Sequence, residues 1–178
     1  MTLAQRKIIM KTFIISHFGY CPLVWMFHSR KLNTRINRLH ERSLRIVYKD
    51  DRSTFEELLA KDESFTIHER NIQTLAIELY KVSYRLSPKI MDFVFPLKTQ
   101  TTYEGENIFK TAKVKTTSWG LESLAHLGPK IWSIVPNDMK KFSLSKFTQK
   151  VRKWKPDKCP CRICLTYIHH LGFVTISS

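Results

Sequence analysis

Residues 31–49 carry two sets of side chains that must be kept apart, both at helical spacing. Leu32, Ile36, Leu39, Ser43, Ile46 and Val47 line one face. Lys31, Arg35, Arg38, Arg42, Arg45 and Lys49 recur at alternating steps of four and three, and at 100° per residue they fall within an arc of about 80°. The centres of the two sets lie about 110° apart. The segment is expected to be a helix that buries one flank and presents six cations in a row on another. Glu41 is its only acid. A solvated helix face usually mixes signs to gain i,i+4 pairs, so this row points to phosphates along a nucleic-acid backbone, though it carries no base information by itself.

The same periodicity recurs. A helix is expected from Leu3 to Phe18, ended by Gly19 and Pro22. Ser53 with Glu56 forms a capping-box pattern that opens a short helix through Leu58 and Leu59. Thr66 leads into a long amphipathic helix in which Ile67, Ile72, Leu75, Ala76, Leu79, Val82 and Leu86 are apolar, stopped at Ser87-Pro88. After Pro96 the chain turns polar and Thr-rich, which predicts a long loop with one short strand around Lys113–Thr117. Glu122–Val135 is broken by Gly128-Pro129 and is expected as two short helical pieces. Ser143 caps a last helix with Leu144, Phe147, Val151 and Trp154 on one stripe, ended by Pro156. The expected architecture is mainly α. A small helical bundle spans 1–95, an irregular loop 96–120, short helices 121–156 and a basic Cys/His tail 157–178.

The chain holds 30 Lys/Arg against 15 Asp/Glu, a net charge of +15 over 178 residues. Residues 1–49 contribute +9, residues 50–109 contribute −4 and residues 110–178 contribute +10. A polyanion would relieve the self-repulsion and release condensed counterions, so RNA or DNA is the expected partner. Residues 8–27 are mostly apolar, but Lys11, His17 and Pro22 interrupt them, and neither a signal nor a membrane span is expected.

Three of the four cysteines fall in Cys159-Pro160-Cys161-Arg162-Ile163-Cys164. A Cys-x-Cys pair is too close for a relaxed disulfide between its own members, and Cys21 is remote, so reduced thiols of an intracellular protein are expected. Three thiolates and an imidazole make a Cys3His zinc set. Cys159, Cys161 and Cys164 would be completed by His169 or its neighbour His170, between which spacing does not choose. The other reading is reduced, partly buried cysteines beside a basic helix. His17, His28, His40, His68 and His126 read as ordinary core or surface residues. Arg152, Lys153, Lys155, Lys158 and Arg162 add a second basic contact around the cluster.

Tyr48-Lys49-Asp50-Asp51 has the form of the Tyr-x-Asp-Asp signature of reverse transcriptases. That signature needs a tight β-hairpin, whereas here it follows a helix and precedes a cap. The expected role is helix termination and N-capping by Asp50 or Asp51. No catalytic residue is assigned, because a two-metal carboxylate site is missing from the sequence.

Residues 20–57, from Tyr-Cys-Pro-Leu-Val-Trp through Ile-Asn-Arg-Leu-His-Glu-Arg-Ser-Leu-Arg-Ile-Val-Tyr to Phe-Glu-Glu-Leu-Leu, resemble the segment after the catalytic palm in jockey-like non-LTR retrotransposon (LINE) reverse transcriptases. So do Ile67-His68-Glu69-Arg70-Asn71-Ile72-Gln73, Gly128-Pro129-Lys130-Ile131-Trp132 with Pro136, and Arg152-Lys153-Trp154-Lys155-Pro156 with its cysteines. The resemblance implies a thumb-like, nucleic-acid-binding C-terminal part of an RNA-directed DNA polymerase, a transposable-element product acting in the nucleus. Fingers, palm and endonuclease are absent from this chain, and Asp50-Asp51 do not align with the family's catalytic pair. The chain is therefore expected not to be an enzyme by itself. A different expectation is a helical interaction module that docks an acidic protein or the rest of its own polyprotein.

Overall fold

The computed structural model describes residues 1–98, 108–116, 119–156 and 158–165. The chain is mainly α-helical. In order come α1 (Leu3–Ile9), a π-helical segment (Met10–Ile15), α2 (Ser16–Gly19), α3 (Pro22–Trp25), α4 (Arg30–Tyr48), α5 (Phe55–Lys61), α6 (Ile67–Ser83), α7 (Ile90–Val94), α8 (Leu124–Ile134), α9 (Asn137–Lys140) and α10 (Leu144–Val151). Backbone packing divides the chain into two compact units, Met1–Asn71 and Ile72–Ser178. The boundary falls inside α6, a helix that runs unbroken across it.

In the first unit, Thr2 and Gln5 close a capping box on α1, and the helical run continues to Gly19 through the wider π turns. Met10 enters a core with Leu44 and Val47 of α4 and Leu58 and Leu59 of α5. The run ends at Gly19, as expected, and Pro22 lies beyond it. The proline opens α3 at the first helical position, where its missing N–H has no partner to lose, after a reversal at Cys21 (φ 43°).

Ser29 caps α4, and Lys49 ends it in the left-handed region (φ 53°). The buried flank is Ile36, His40, Ser43, Leu44 and Val47. Leu32, Leu39 and Ile46, expected on that flank, are instead 42%, 51% and 69% exposed. The helix is rotated so that His40 and Leu44 face inward, with the Phe55 ring edge-on to the His40 imidazole at 5.5 Å. Asp50 does not cap α5. Its Oδ1 accepts from the Arg52 and Ser53 amides, while Oδ2 accepts from Ser53 Oγ (2.8 Å) and Lys61 Nζ (2.7 Å). With Ser53 so engaged, the capping box forms one residue later than expected, between Thr54 and Glu57. Asp62 accepts from Tyr48 Oη at 2.8 Å and pairs with Lys7 at 3.1 Å. Burial alone would raise the Asp62 carboxyl, but those two donors outweigh it and hold the group below its usual range.

Thr66 and Glu69 cap α6 reciprocally. The helix stops at Ser83, short of the expected Leu86, because Arg85 turns left-handed (φ 54°) and the Leu86 amide reaches back to the Lys81 carbonyl (2.7 Å). Ile72, Leu75, Ala76, Leu79 and Val82 are fully buried, as their spacing predicts. In the second unit, rings touch in succession from Tyr84 and Tyr80 to Phe147, Trp132, Phe109 and Phe95. The Tyr80 hydroxyl donates to the Phe142 carbonyl at 2.6 Å. Helix α8 runs straight through Gly128-Pro129 rather than breaking in two. A Cβ at Gly128 would lie 2.4 Å from Phe95 Cε1, so glycine serves ring contact here, not helix termination. Residues 113–116 form no strand, and Thr117 lies outside the described residues. The one isolated bridge among the described residues joins Leu97 to Phe109.

Gly128→Ala should lower stability by about 1–3 kcal/mol through overpacking, although an open helix site would gain about 1 kcal/mol from the same change. Chemical denaturation reads the sign. A second expectation concerns His40, which is fully buried. Burial, helped by the Arg70 charge and opposed by Asp62, pushes its imidazole from 6.5 down to about 4. The unfolded chain takes up this proton as pH falls below 6.5 and the folded chain does not until about 4. Stability should therefore fall across that window, by about 3 kcal/mol, and be unaffected by this group above it. A profile equally steep in His40→Leu would exclude His40 as the cause.

Candidate metal centre and basic surfaces

Helix α10 ends at Val151, and Trp154 is held where its carbonyl accepts from Gln73 Nε2 of α6 (2.8 Å). Beyond buried Pro156 the chain makes one helical turn over 162–165, with the Cys164 and Leu165 amides donating to the Cys161 carbonyl. The turn directs Cys159, Cys161 and Ile163 inward and leaves Lys158 and Arg162 exposed. None of the cysteines forms a disulfide.

Cys159, Cys161 and Cys164 are brought together, as their spacing predicts. The imidazole that joins them is His68, in the first turn of α6, and the four ligand atoms all lie within 4.8 Å of one another. His68, Cys159 and Cys161 are buried and Cys164 is half-buried. A tetrahedral site with metal–sulfur bonds of about 2.3 Å has ligand–ligand edges of about 3.8 Å, so small side-chain adjustments suffice to close it on one ion. This cluster can bind a metal ion. His169 and His170, expected as the fourth ligand, lie outside the described residues. His68, expected as an ordinary core or surface residue, carries no local mark of a ligand. The signal that could have found it is indirect: three clustered cysteines needed a fourth donor, and His68 sits in one of the segments that share the family resemblance.

Neighbouring thiols and burial disfavour the ionisation of Cys159 and Cys164, although the contact with Cys164 acts on Cys159 in the opposite direction. The Cys161 thiol beside Cys159, with burial adding, pushes the Cys159 thiol up to about 12. Cys164 is pushed up as well, by Cys159 and Cys161 first and burial next. A dication would reverse that order, since it binds the thiolates and expels their protons.

The cations of α4 are placed less uniformly than their spacing suggests. Lys31, Arg35, Arg38, Arg42 and Lys49 are exposed. Arg45 is half-buried, pairing with Glu41 through Nη2 at 2.7 Å and reaching the Asp50 carbonyl. The exposed apolar strip of Leu32, Leu39 and Ile46 therefore lies between the buried flank and the cations. In the tail Arg152, Lys153, Lys155, Lys158 and Arg162 are all exposed. Among the described residues no helix is long and apolar enough to cross a membrane. The chain matches no protein-family model, no curated protein and no solved structure.

Cobalt(II) added to the reduced protein should bind with thiolate charge-transfer absorption, more tightly as pH rises. The signal should vanish in Cys161→Ser, weaken in His68→Ala and survive exchange of His169 and His170 together for alanine. A spectrum unchanged by Cys161→Ser would remove the cluster from consideration.

Proposed function

We propose that the chain is a nucleic-acid-binding module, the post-palm part of a non-LTR retrotransposon reverse transcriptase, with structural zinc in its tail and a nuclear place of action. The observation that carries the reading is the file of exposed cations along α4, Lys31, Arg35, Arg38 and Arg42, with one acid on the helix and that acid already paired to Arg45. Steps of three and four along a helix advance about 4.5–6 Å, so the exposed cations form one continuous row that can lie along a phosphate backbone. The family resemblance supports the assignment to a retroelement. Zinc is the metal whose chemistry suits three thiolates and an imidazole in a closed tetrahedral set, a structural arrangement that leaves no open position for a substrate.

The chain does not polymerise by itself in this reading. Asp50, the first acid of Tyr48-Lys49-Asp50-Asp51, spends its carboxylate on Ser53, Arg52 and Lys61 and serves the α4–α5 link. Hydrogen bonds from Lys61 and Ser53 hold it well below the usual carboxylate range. Primer extension by the purified chain, abolished by Asp50→Asn, would contradict this.

The logarithm of the affinity for RNA or DNA should fall linearly and steeply with the logarithm of salt concentration. Arg35→Ala and Arg42→Ala should each reduce the slope by about 0.7–0.9, whereas Arg45→Ala should change it less, because that guanidinium is engaged by Glu41. Fluorescence anisotropy with a labelled oligonucleotide reads all three. No binding, or binding indifferent to salt, would favour instead a helical module docking a protein through Leu32, Leu39 and Ile46.

A further inference from the structure

We propose that Trp119, with Lys113 and Lys115, forms a base-stacking subsite for single-stranded nucleic acid; the proposal rests on the nucleic-acid reading above and gives it a substrate class. Of the four tryptophans, Trp132 is buried and Trp25 and Trp154 are half-buried, while Trp119 is 86% exposed. An indole left in water forgoes the largest apolar burial any side chain offers, so its display calls for a reason.

The turn that carries it is tightly made. The Gly120 amide donates to Thr116 Oγ1 (2.9 Å), the Leu121 amide to the Thr116 carbonyl (3.2 Å) and the Ser123 amide to the Gly120 carbonyl (3.1 Å). A Cβ on Gly120 would lie 2.7 Å from the Thr116 carbonyl oxygen and 2.7 Å from Val114 Cβ, so the two limbs touch and only glycine fits between them. One limb is further pinned where the His126 ring meets the Ala112 carbonyl at 3.0 Å. Hydrogen bonds from Gly120, Leu121 and Ser123 therefore fix the backbone that follows the indole, which lowers the entropic cost of capturing a ligand.

The described limb that precedes the turn, residues 113–116, carries two cations and no acid. Lys113 and Lys115 flank half-buried Val114 and are both exposed. The acid that follows, Glu122, is drawn to the tail. It accepts from the Arg162 amide (3.5 Å) and pairs with the Arg162 guanidinium (3.6 Å). An exposed indole next to a limb with two exposed lysines, with Glu122 engaged by Arg162, suits an anionic strand that offers π faces. Bases in a duplex are already stacked on each other, so a single exposed indole discriminates for unpaired bases. An apolar protein partner would require a wider apolar surround than Thr116, Lys115 and half-exposed Leu121 provide.

The test titrates a labelled single-stranded oligonucleotide and a duplex of equal length against wild-type protein, Trp119→Ala, Trp119→Phe and the double variant Lys113→Ala/Lys115→Ala. Trp119→Ala should weaken single-strand binding by about 10-fold while leaving the salt slope and duplex affinity unchanged, and Trp119→Phe should recover most of the loss. The lysine variant should lower the single-strand salt slope by about 0.7 per lysine. Thermal melting checks that the variants fold, which the exposure of all three side chains favours. Unchanged single-strand affinity in Trp119→Ala, or equal losses on strand and duplex, would overturn the stacking subsite while leaving the α4 reading intact. Wild-type protein that binds neither probe would overturn the parent reading together with the subsite.

Discussion

The second unit depends on one continuous succession of aromatic contacts. Tyr80 stacks on Phe147 at 4.3 Å, Phe147 meets Trp132, Trp132 meets Phe109 edge-on at 5.8 Å and Phe109 meets Phe95. These rings belong in turn to α6, α10, α8, the Leu97–Phe109 bridge and the residue that ends α7, so one file of side chains ties together elements that share little backbone pairing. Each ring buries a large area, and edge-on or offset pairs add about 0.5–1.5 kcal/mol beyond that. Gly128 is a consequence of this file, because Phe95 occupies the space its side chain would need. The buried ring of Phe147 also holds α10 in place, and the cysteine tail begins where α10 ends.

A chain with this charge excess must keep its cations from destabilising its own core, and the two units solve the problem in similar ways. In the first, two half-buried acids take cations, while Asp51, Glu56, Glu57 and Glu63 stay exposed. Asp62 meets Lys7 and the Tyr48 hydroxyl, and Asp50 meets Lys61. Lys7 and Lys61 both lie over the Tyr48 ring. Hydrogen bonds that it donates to Tyr48 and then to Asp62 raise the Lys7 ammonium above its ordinary range. In the second unit Glu122 takes Arg162, and Lys140 and Lys150 sit over the Trp132 and Phe142 rings. The acids and rings are spent on a minority of the cations. Lys31, Arg35, Arg38 and Arg42 on α4 and Arg152, Lys153, Lys155 and Lys158 after α10 remain outward, local excesses of positive charge of the kind that release counterions on meeting a polyanion.

How legible each part was in the sequence follows from the range of the interactions that decide it. Helix α6 was readable because its stripe repeats over many turns and its cap, Thr66 with Glu69, is local. The rotation of α4 was not, since Leu32, Leu39 and Ile46 are as apolar as Leu44, and which of them goes inward is decided by α5 and by an imidazole that periodicity counts as polar. Gly128-Pro129 signals a break in any local reading, and only the position of Phe95 shows why the glycine is there. The three cysteines were found by spacing alone. His68 could not be, because a donor far along the chain has no spacing signature until the fold brings it near. The cap shift from Ser53 to Thr54 shows the smallest scale of the same effect, where one carboxylate claims the hydroxyl that a pattern assigns elsewhere.

The tail poses an energetic problem that packing does not solve. Over residues 158–165 the inward side chains are Cys159, Cys161 and Ile163, with Cys164 half-buried. Fully burying one isoleucine is worth about 1.5–3 kcal/mol, and cysteines add little. Ordering the backbone costs about 1–2 kcal/mol per residue, before the repulsion between Lys158, Arg162 and the basic segment ahead of them. Crowding and burial also disfavour the thiolate forms of Cys159 and Cys164. A metal ion bound by the cluster would change the sign of this sum, contributing on the order of 10 kcal/mol where the ligands converge. The approach of four donors from two separate stretches of chain to within 4.8 Å is thus more than a chance crowding of sulfur. It is the arrangement that would let a short, strongly basic segment hold one shape, and with it the placement of Arg162 beside Glu122 and the cations that face outward.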